Sequence, residues 1–73
     1  MMKLYGQRLK EARKKKKLSQ EKVAEILNIS RSNITKYELE TLEPNLQTLK
    51  ELCIVYNVSA DYIIGLTEIN IKE

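Results

Sequence analysis

Apolar residues recur at helical spacing along this chain, and small polar residues divide them into short segments. Ser19 and Ser30 each precede such a segment. A serine oxygen at either position can accept the backbone N–H groups that the first turn of a helix leaves unpaired. After the first serine, Val23, Ala24 and Leu27 form one apolar stripe with charged residues outside it. The pattern therefore predicts two short, consecutive helices.

The turn between these two helices contains only Asn28, Ile29 and Ser30. Apart from glycine, asparagine best tolerates the left-handed backbone conformation, so Asn28 can end the first helix of the pair. In the second helix, Ile34 and Tyr37 lie three residues apart and are expected to face inward. The two helices should therefore pack together across a very tight turn.

The opposite face of the second helix is predicted to be exposed, and it carries Arg31, Ser32, Thr35 and Lys36. Basic and hydroxyl side chains are the donors and acceptors that suit base edges and phosphates in a DNA major groove. The same composition is also common on a solvated helix face that has no partner. The two caps around a tight turn favour the DNA-binding interpretation.

Further helices are predicted on both sides of this pair. The first helix of the chain should span about Leu4 to Lys16, with Leu9 facing inward. A fourth helix should begin near Leu46, shortly after the single proline, because proline fits the start of a helix. The buried stripe expected on the fourth helix is Leu46, Leu49, Leu52, Cys53 and Tyr56.

A fifth, short helix from Ala60 to Ile64 is expected after the cap residue Ser59, with Gly65 as its stop. The sequence therefore predicts an all-α fold. We expect a compact five-helix bundle in which the second and third helices form a helix-turn-helix over residues 19–38.

Charge is distributed unevenly between the two halves of the chain. Residues 1–38 hold eleven Lys or Arg against four Asp or Glu, a net charge of +7, whereas residues 39–73 hold two against six, a net charge of −4. Such asymmetry in a small domain predicts one face for a polyanion and another for something else. The run from Lys14 to Lys17 fits phosphate contact and fits equally well a favourable interaction with the C-terminal end of the first helix dipole.

Composition narrows the function classes. A chain of 73 residues is expected to be one small domain, without room for a second, ligand-sensing one. It has no apolar stretch of about 18 residues and no apolar segment behind a basic start, so we expect a cytoplasmic protein outside the membrane. Histidine is absent and Cys53 is the only cysteine, so no disulfide, metal site, cofactor or histidine-based catalysis is expected.

Residues at many fixed positions resemble the Cro and phage-repressor helix-turn-helix family, often called XRE-like. The matching residues are Leu9, Arg13, Gln20, Ala24, Ile29, Ser30, Ile34, Glu38, Pro44, Leu49, Val58 and Asp61. The match runs from about Tyr5 to Gly65, and it implies a lambda-repressor-like fold that binds double-stranded DNA. It also implies that Arg13 and Glu38 pair, which would tie the first helix to the end of the recognition helix.

The resemblance further implies roles on DNA. Gln20, at the start of the second helix, matches a glutamine whose side chain and backbone meet a phosphate, at the anion-binding end of a helix. Arg31 is the best candidate for reading guanine, since its planar fork can bond O6 and N7 together. The other expected phosphate contacts are Ser30, Lys14 and Lys17. The other expected base contacts are Ser32 and Lys36, with Asn33 and Thr35 as lesser contacts to bases or backbone.

The chain departs from the family pattern at several turns. Lys17, Asn28, Glu40 and Asn57 stand where glycine is common, and the lysine and the glutamate accept left-handed geometry less readily than asparagine does. Glu40 and Glu43 also place acid in the loop after the recognition helix, where relatives often approach phosphate. Phosphate contact by that loop is therefore left open.

A homodimer is expected, because a single small domain has few contacts with which to select a site. We assign residues 1–66 to the DNA-binding domain. Residues 67–73 form either a disordered tail or a short strand between subunits, since Ile69 and Ile71 alternate with polar neighbours. The candidate dimer surface consists of Ile54, Tyr62, Ile64 and Leu66.

Three functions remain to be weighed. The leading hypothesis is a sequence-specific transcription regulator of phage, mobile-element or bacterial controller type, acting as a small repressor that binds a near-palindromic operator as a dimer. The alternative is an antitoxin-like or adaptor protein whose main partner is another protein. An enzyme is not expected, because no histidine, glycine-rich phosphate loop or paired carboxylates organise catalysis.

Overall fold

The computed structural model describes residues 4–68, and five helices account for most of them. The helices are α1 (Tyr5–Lys15), α2 (Gln20–Leu27), α3 (Arg31–Leu39), α4 (Leu46–Tyr56) and α5 (Ala60–Ile64). No strand occurs within the described range. The predicted all-α, five-helix architecture is therefore confirmed.

Side-chain caps begin four of the five helices. The Oγ atoms of Ser19, Ser30 and Ser59 accept the backbone N–H of the residue three positions later, at 3.0, 3.2 and 3.0 Å. Asn45 Oδ1 accepts the N–H of Thr48 at 2.8 Å and caps α4 in the same way. The three serine caps have the geometry expected from the sequence, whereas the asparagine cap was not anticipated.

Left-handed residues end the helices or follow them. Lys17, Asn28, Glu40 and Asn57 have φ angles of 59°, 58°, 65° and 56°, and Gly65 has a φ of 91°. Asn28 acts as the predicted stop of α2, and Asn57 ends α4 in the same way. Lys17 and Glu40 adopt the same conformation although neither residue type favours it, so the fold imposes this geometry on them.

The core takes one fully buried aliphatic side chain from each helix. Leu9, Val23, Ile34, Leu52 and Ile63 come from α1 to α5 in that order, and each is almost completely hidden from solvent. The remaining buried apolar residues are Ala12, Ala24, Tyr37, Cys53, Tyr56 and Val58. Every helix is thus fixed against a common centre, which leaves its opposite face for solvent or a partner.

One predicted core residue is wrong. Leu46 was expected in the buried stripe of α4, but it is 84% exposed. It is the first residue of the helix, directly after the cap Asn45, and one turn later Leu49 is itself only partly buried. The helix therefore starts outside the core and enters it only from its second turn onward.

Gly6 allows α1 and α3 to approach each other closely. A Cβ atom added at this position would lie 2.5 Å from the carbonyl oxygen of Glu38, a backbone atom that cannot move aside. The Gly6 N–H also donates to Glu40 Oε2 at 2.9 Å. Because α3 carries the predicted DNA-facing residues, this contact helps to set the position of that helix on the domain.

Candidate DNA interface

The exposed face of α3 contains the residues expected to read DNA. Arg31, Ser32 and Lys36 are exposed, whereas Ile34 and Tyr37 are buried in the core. This is the division between outward and inward faces that helical spacing requires. Three side chains that can donate hydrogen bonds therefore lie on the accessible face of α3, while the opposite face of this helix is packed into the core.

Asn33 and Thr35 differ from these three because each is half-buried. The backbone N–H of Asn33 is bonded to the cap oxygen of Ser30. The hydroxyl group of Thr35, which was expected to face freely outward, instead donates to Gln20 Oε1 at 2.8 Å. Thr35 thus joins α3 to the start of α2 and remains only partly accessible.

Arg13 and Glu38 form a buried, two-point ion pair between α1 and α3. Arg13 Nε lies 2.7 Å from Glu38 Oε2, and Arg13 Nη2 lies 3.1 Å from Glu38 Oε1. The side chains are 10% and 5% exposed. Arg13 Nη1 also donates to the Leu18 carbonyl oxygen at 2.9 Å, so the linker before α2 is held by the same guanidinium group.

The electrostatic effects of this pair act on Arg13 itself and on Tyr56 in the core. The hydrogen bond to Glu38 raises the pKa of Arg13 above its ordinary value, against the opposing effect of burial. Burial raises the pKa of Tyr56 strongly, and the Glu38 charge raises it further. Removal of the Arg13 cation would leave the Glu38 carboxylate buried without a partner, and this would strongly lower the free energy of unfolding.

Gln20 is the first residue of α2 and lies at the edge of the candidate interface. Its Nε2 atom donates to Glu38 Oε1 at 3.0 Å, while its Oε1 atom accepts from Thr35. Its backbone N–H belongs to the first turn of the helix, where such groups have no partner within the helix. Gln20 therefore combines a fixed side chain with a backbone position suited to a phosphate.

The other expected phosphate contacts lie around this edge. Lys14 is exposed in the last turn of α1, and Lys17 is exposed in the linker between α1 and α2. Ser30 is exposed at the start of α3, where its oxygen caps the helix. These basic and hydroxyl groups therefore lie on the segments next to the starts of α2 and α3.

The acidic loop after α3 has a partly structural explanation. Glu40 accepts a hydrogen bond from the backbone of Gly6, so its carboxylate is directed toward α1. Glu43 is exposed. The carboxylate at position 40 therefore contributes to the packing of α1 on α3.

Arg8 is an important residue that the sequence interpretation missed. It is 9% exposed, and its Nη1 atom donates to the carbonyl oxygens of Tyr62 and Thr67. Its Nη2 atom lies 3.0 Å from Glu68 Oε1, and its guanidinium carbon lies 4.3 Å from the centre of the Tyr62 ring. One signal was available: Arg8 lies one turn before Ala12, on the buried side of α1.

The candidate dimer residues fall into two groups. Ile54, Ile64 and Leu66 are 63%, 53% and 74% exposed. Tyr62 is half-buried, and Arg8 stacks over its ring. The proposed pairing strand around Ile69 and Ile71 lies outside the described residues.

Residues 4–68 meet neither the requirements of a metal site nor those of a membrane-spanning helix. No three His, Cys, Asp or Glu side chains are grouped so as to hold a metal ion in this range. None of the helices described has the length and apolar character needed to cross a membrane. Cys53 is buried in the core and forms no disulfide within the described residues.

Comparisons with known proteins agree with this geometry. The Helix-turn-helix family model matches residues 9–63, which is most of the chain. An HTH-type transcriptional regulator of Bacillus subtilis, ImmR, is 45% identical over 67 residues, covering 92% of this chain and 53% of its own length. The immunity repressor protein of Bacillus phage phi105 is 38% identical over 68 residues, covering 93% of this chain and 46% of its own.

A more distant relative is the cryptic phage CTXphi transcriptional repressor RstR of Vibrio cholerae. It is 27% identical over 70 residues, covering 96% of this chain and 63% of the relative. The chain spans about half the length of the Bacillus relatives it matches. Since the family match includes α2, α3 and the paired Arg13 and Glu38, the chain belongs to the XRE-type helix-turn-helix family of DNA-binding regulators.

Proposed function

We propose that this protein is a sequence-specific transcription regulator, acting as a small repressor that binds a near-palindromic operator as a dimer. The observation that carries the proposal is the exposed face of α3, with Arg31, Ser32 and Lys36 on a helix fixed by a buried ion pair. Relatives named as repressors and regulators support it. Occupation of the operator would exclude polymerase.

In this proposal α3 lies in the major groove and separates base reading from positioning. Arg31 reads guanine through its two-pronged fork, at a discrimination of about 1–3 kcal/mol. Ser32 and Lys36 reach neighbouring base edges, while Asn33 and Thr35 make lesser contacts. The phosphate contacts are Gln20, Ser30, Lys14 and Lys17, and they fix the register without specifying sequence.

The dimer in this proposal uses the apolar surface of the C-terminal half, at Ile54, Tyr62, Ile64 and Leu66. This half of the chain is acidic overall, with two basic residues against six acidic ones from residue 39 onward. Acidic charge keeps a surface away from phosphate, and exposed apolar side chains favour association with a second copy.

The test is a binding titration with duplex DNA from upstream of the protein's own gene and with random duplex, at several salt concentrations. We expect preferential binding to the upstream DNA, with an affinity that falls steeply as salt rises. Arg31→Ala should flatten the preference at one base pair. Lys50→Ala is the matched control, because Lys50 is exposed on α4 and its loss changes the net charge equally.

A second candidate is the antitoxin-like or adaptor protein, and the exposed apolar residues of α4 and α5 are the observation that favours it. In that case DNA binding would be secondary, with affinity for upstream DNA no greater than for random duplex. Salt-dependent binding without any sequence preference would therefore support the adaptor and contradict the repressor.

A further inference from the structure

A chain of four side chains links the interior of the domain to the proposed DNA-facing surface. Arg13 Nε donates to Glu38 at 2.7 Å, and Gln20 Nε2 donates to the same carboxylate at 3.0 Å. Thr35 then donates its hydroxyl proton to Gln20 Oε1 at 2.8 Å. Three helices and both predicted kinds of DNA contact, phosphate and base, are therefore joined in one network.

The direction of every hydrogen bond in this network is set from its buried end. A guanidinium group only donates and an ionised carboxylate only accepts, so Arg13 fixes Glu38 as the acceptor. The Gln20 amide must then turn its nitrogen toward Glu38 and its oxygen toward Thr35. A hydroxyl group has one proton, and Thr35 has to give that proton to the amide oxygen.

We propose that Thr35 is consequently a hydrogen-bond acceptor only, and that it selects adenine or cytosine on the strand it faces. The inference rests on the proposed function, in which α3 enters the major groove. In that groove the amino groups of adenine N6 and cytosine N4 are the donors, whereas guanine O6 and thymine O4 are acceptors. A threonine oxygen that can only accept forms a hydrogen bond with adenine N6 or cytosine N4, whereas it repels guanine O6 or thymine O4.

The same order of bonds determines what Gln20 offers to DNA. The amide nitrogen has two hydrogens and gives one to Glu38, so one N–H is left over. Together with the backbone N–H at the start of α2, it forms a donor pair suited to a phosphate oxygen. Gln20 therefore contacts only the DNA backbone, yet it determines which bases can donate a hydrogen bond to Thr35.

The experiment selects bound sites from a random duplex pool with four proteins in parallel: the wild type, Thr35→Val, Thr35→Ser and Gln20→Met. Methionine keeps the length of glutamine but removes the amide oxygen that holds the Thr35 proton. The Arg13 and Glu38 pair is retained in all four proteins, and thermal unfolding confirms that each is folded before selection.

The wild type should prefer adenine or cytosine at one position of each half-site, by roughly threefold to tenfold, which is the range for a single net hydrogen bond. Thr35→Val should lose that preference, and Thr35→Ser should keep it. Gln20→Met should weaken binding to all sites and also admit guanine or thymine at the Thr35 position, because the released proton can then be donated to a base.

Three results would each overturn this assignment while leaving the repressor intact. The first is a wild type with a preferred site whose bases are unchanged in Thr35→Val. The second is a Thr35-dependent position occupied by guanine or thymine. The third is a Thr35-dependent position that Gln20→Met leaves unaltered. A wild type without any preferred site would overturn the proposed function together with this rule, and the wild-type selection alone distinguishes that outcome.

Discussion

At the scale of single residues, Glu38 has the largest number of consequences. Its carboxylate accepts from Arg13 at two points and from Gln20, and its charge acts on Tyr56 in the core. Its backbone carbonyl oxygen lies where a side chain at Gly6 would have to go. One residue thus sets the contact of α3 with α1 and with α2.

Glu38→Ala should lower the free energy of unfolding by about 3–5 kcal/mol, because it leaves the Arg13 charge buried without its partner. DNA affinity should fall as well, since Gln20 loses the acceptor that orients its amide. Urea unfolding and a binding titration measure the two effects. Glu43→Ala is the control, because Glu43 is an exposed acid nearby. An unchanged melting temperature in Glu38→Ala would contradict the structural role of the pair.

Tyr56 should make the protein sensitive to alkaline pH. Its pKa in the folded state is raised above the ordinary 10.0, first by burial and then by the Glu38 charge. Below pH 10 both states keep the proton, and the stabilisation is fully present. Above pH 10 the unfolded chain loses the proton first, so the free energy of unfolding falls as pH rises.

The measurement is the melting temperature of the wild type and of Tyr56→Phe between pH 9 and 11 (about one unit on each side of the ordinary tyrosine pKa). Phenylalanine has no proton to lose, while all other titrating groups are common to both proteins. The wild type should lose more stability than the variant over this range. Parallel curves would show that Tyr56 does not contribute to the alkaline transition.

At the scale of helices, the ends matter more than the interiors. Side-chain caps define the starts of α2 to α5, and left-handed residues define the stops of these same helices. These signals are local, which is why the predicted positions of these four helices lie close to the observed ones. α1 differs, because Leu4 provides no side-chain cap.

Lys17→Gly should raise the free energy of unfolding by about 0.5–1 kcal/mol. Lys17 has a φ of 59°, a conformation that glycine adopts without the cost incurred by a side chain. Lys16→Gly is the matched control: it removes the same charge, but Lys16 has an ordinary φ of −85°. Chemical unfolding of the two variants measures the difference, and equal stabilities would contradict the strain at position 17.

At the scale of the whole molecule, long-range contacts decide what the sequence could not show. The apolar stripes located the core because helical spacing is a local property. The burial of Arg8 depends on Tyr62, Thr67 and Glu68, more than fifty residues away. The exposure of Leu46 depends on where the start of α4 lies relative to the core. Likewise, the bond from Thr35 to Gln20 depends on how α2 and α3 are packed.

The proposed dimer can be tested on the whole molecule by sedimentation. Ile64→Ser combined with Leu66→Ser should shift the protein toward monomer, since it removes two exposed apolar side chains from the candidate surface. Leu46→Ser is the control, because Leu46 is even more exposed but lies at the start of α4. A dimer that survives the double substitution would place the contact elsewhere.

The carboxylate shared by Arg13 and Gln20 also bears on the shape of the DNA. Because α1, α2 and α3 meet at one group, the reading helix is ordered before any duplex arrives, and binding requires little further ordering of the protein. When a site fits the protein poorly, it is then the DNA that has to deform. Operators that present the same contacted bases, but differ in the stiffness of the uncontacted steps between them, would be bound with different affinities.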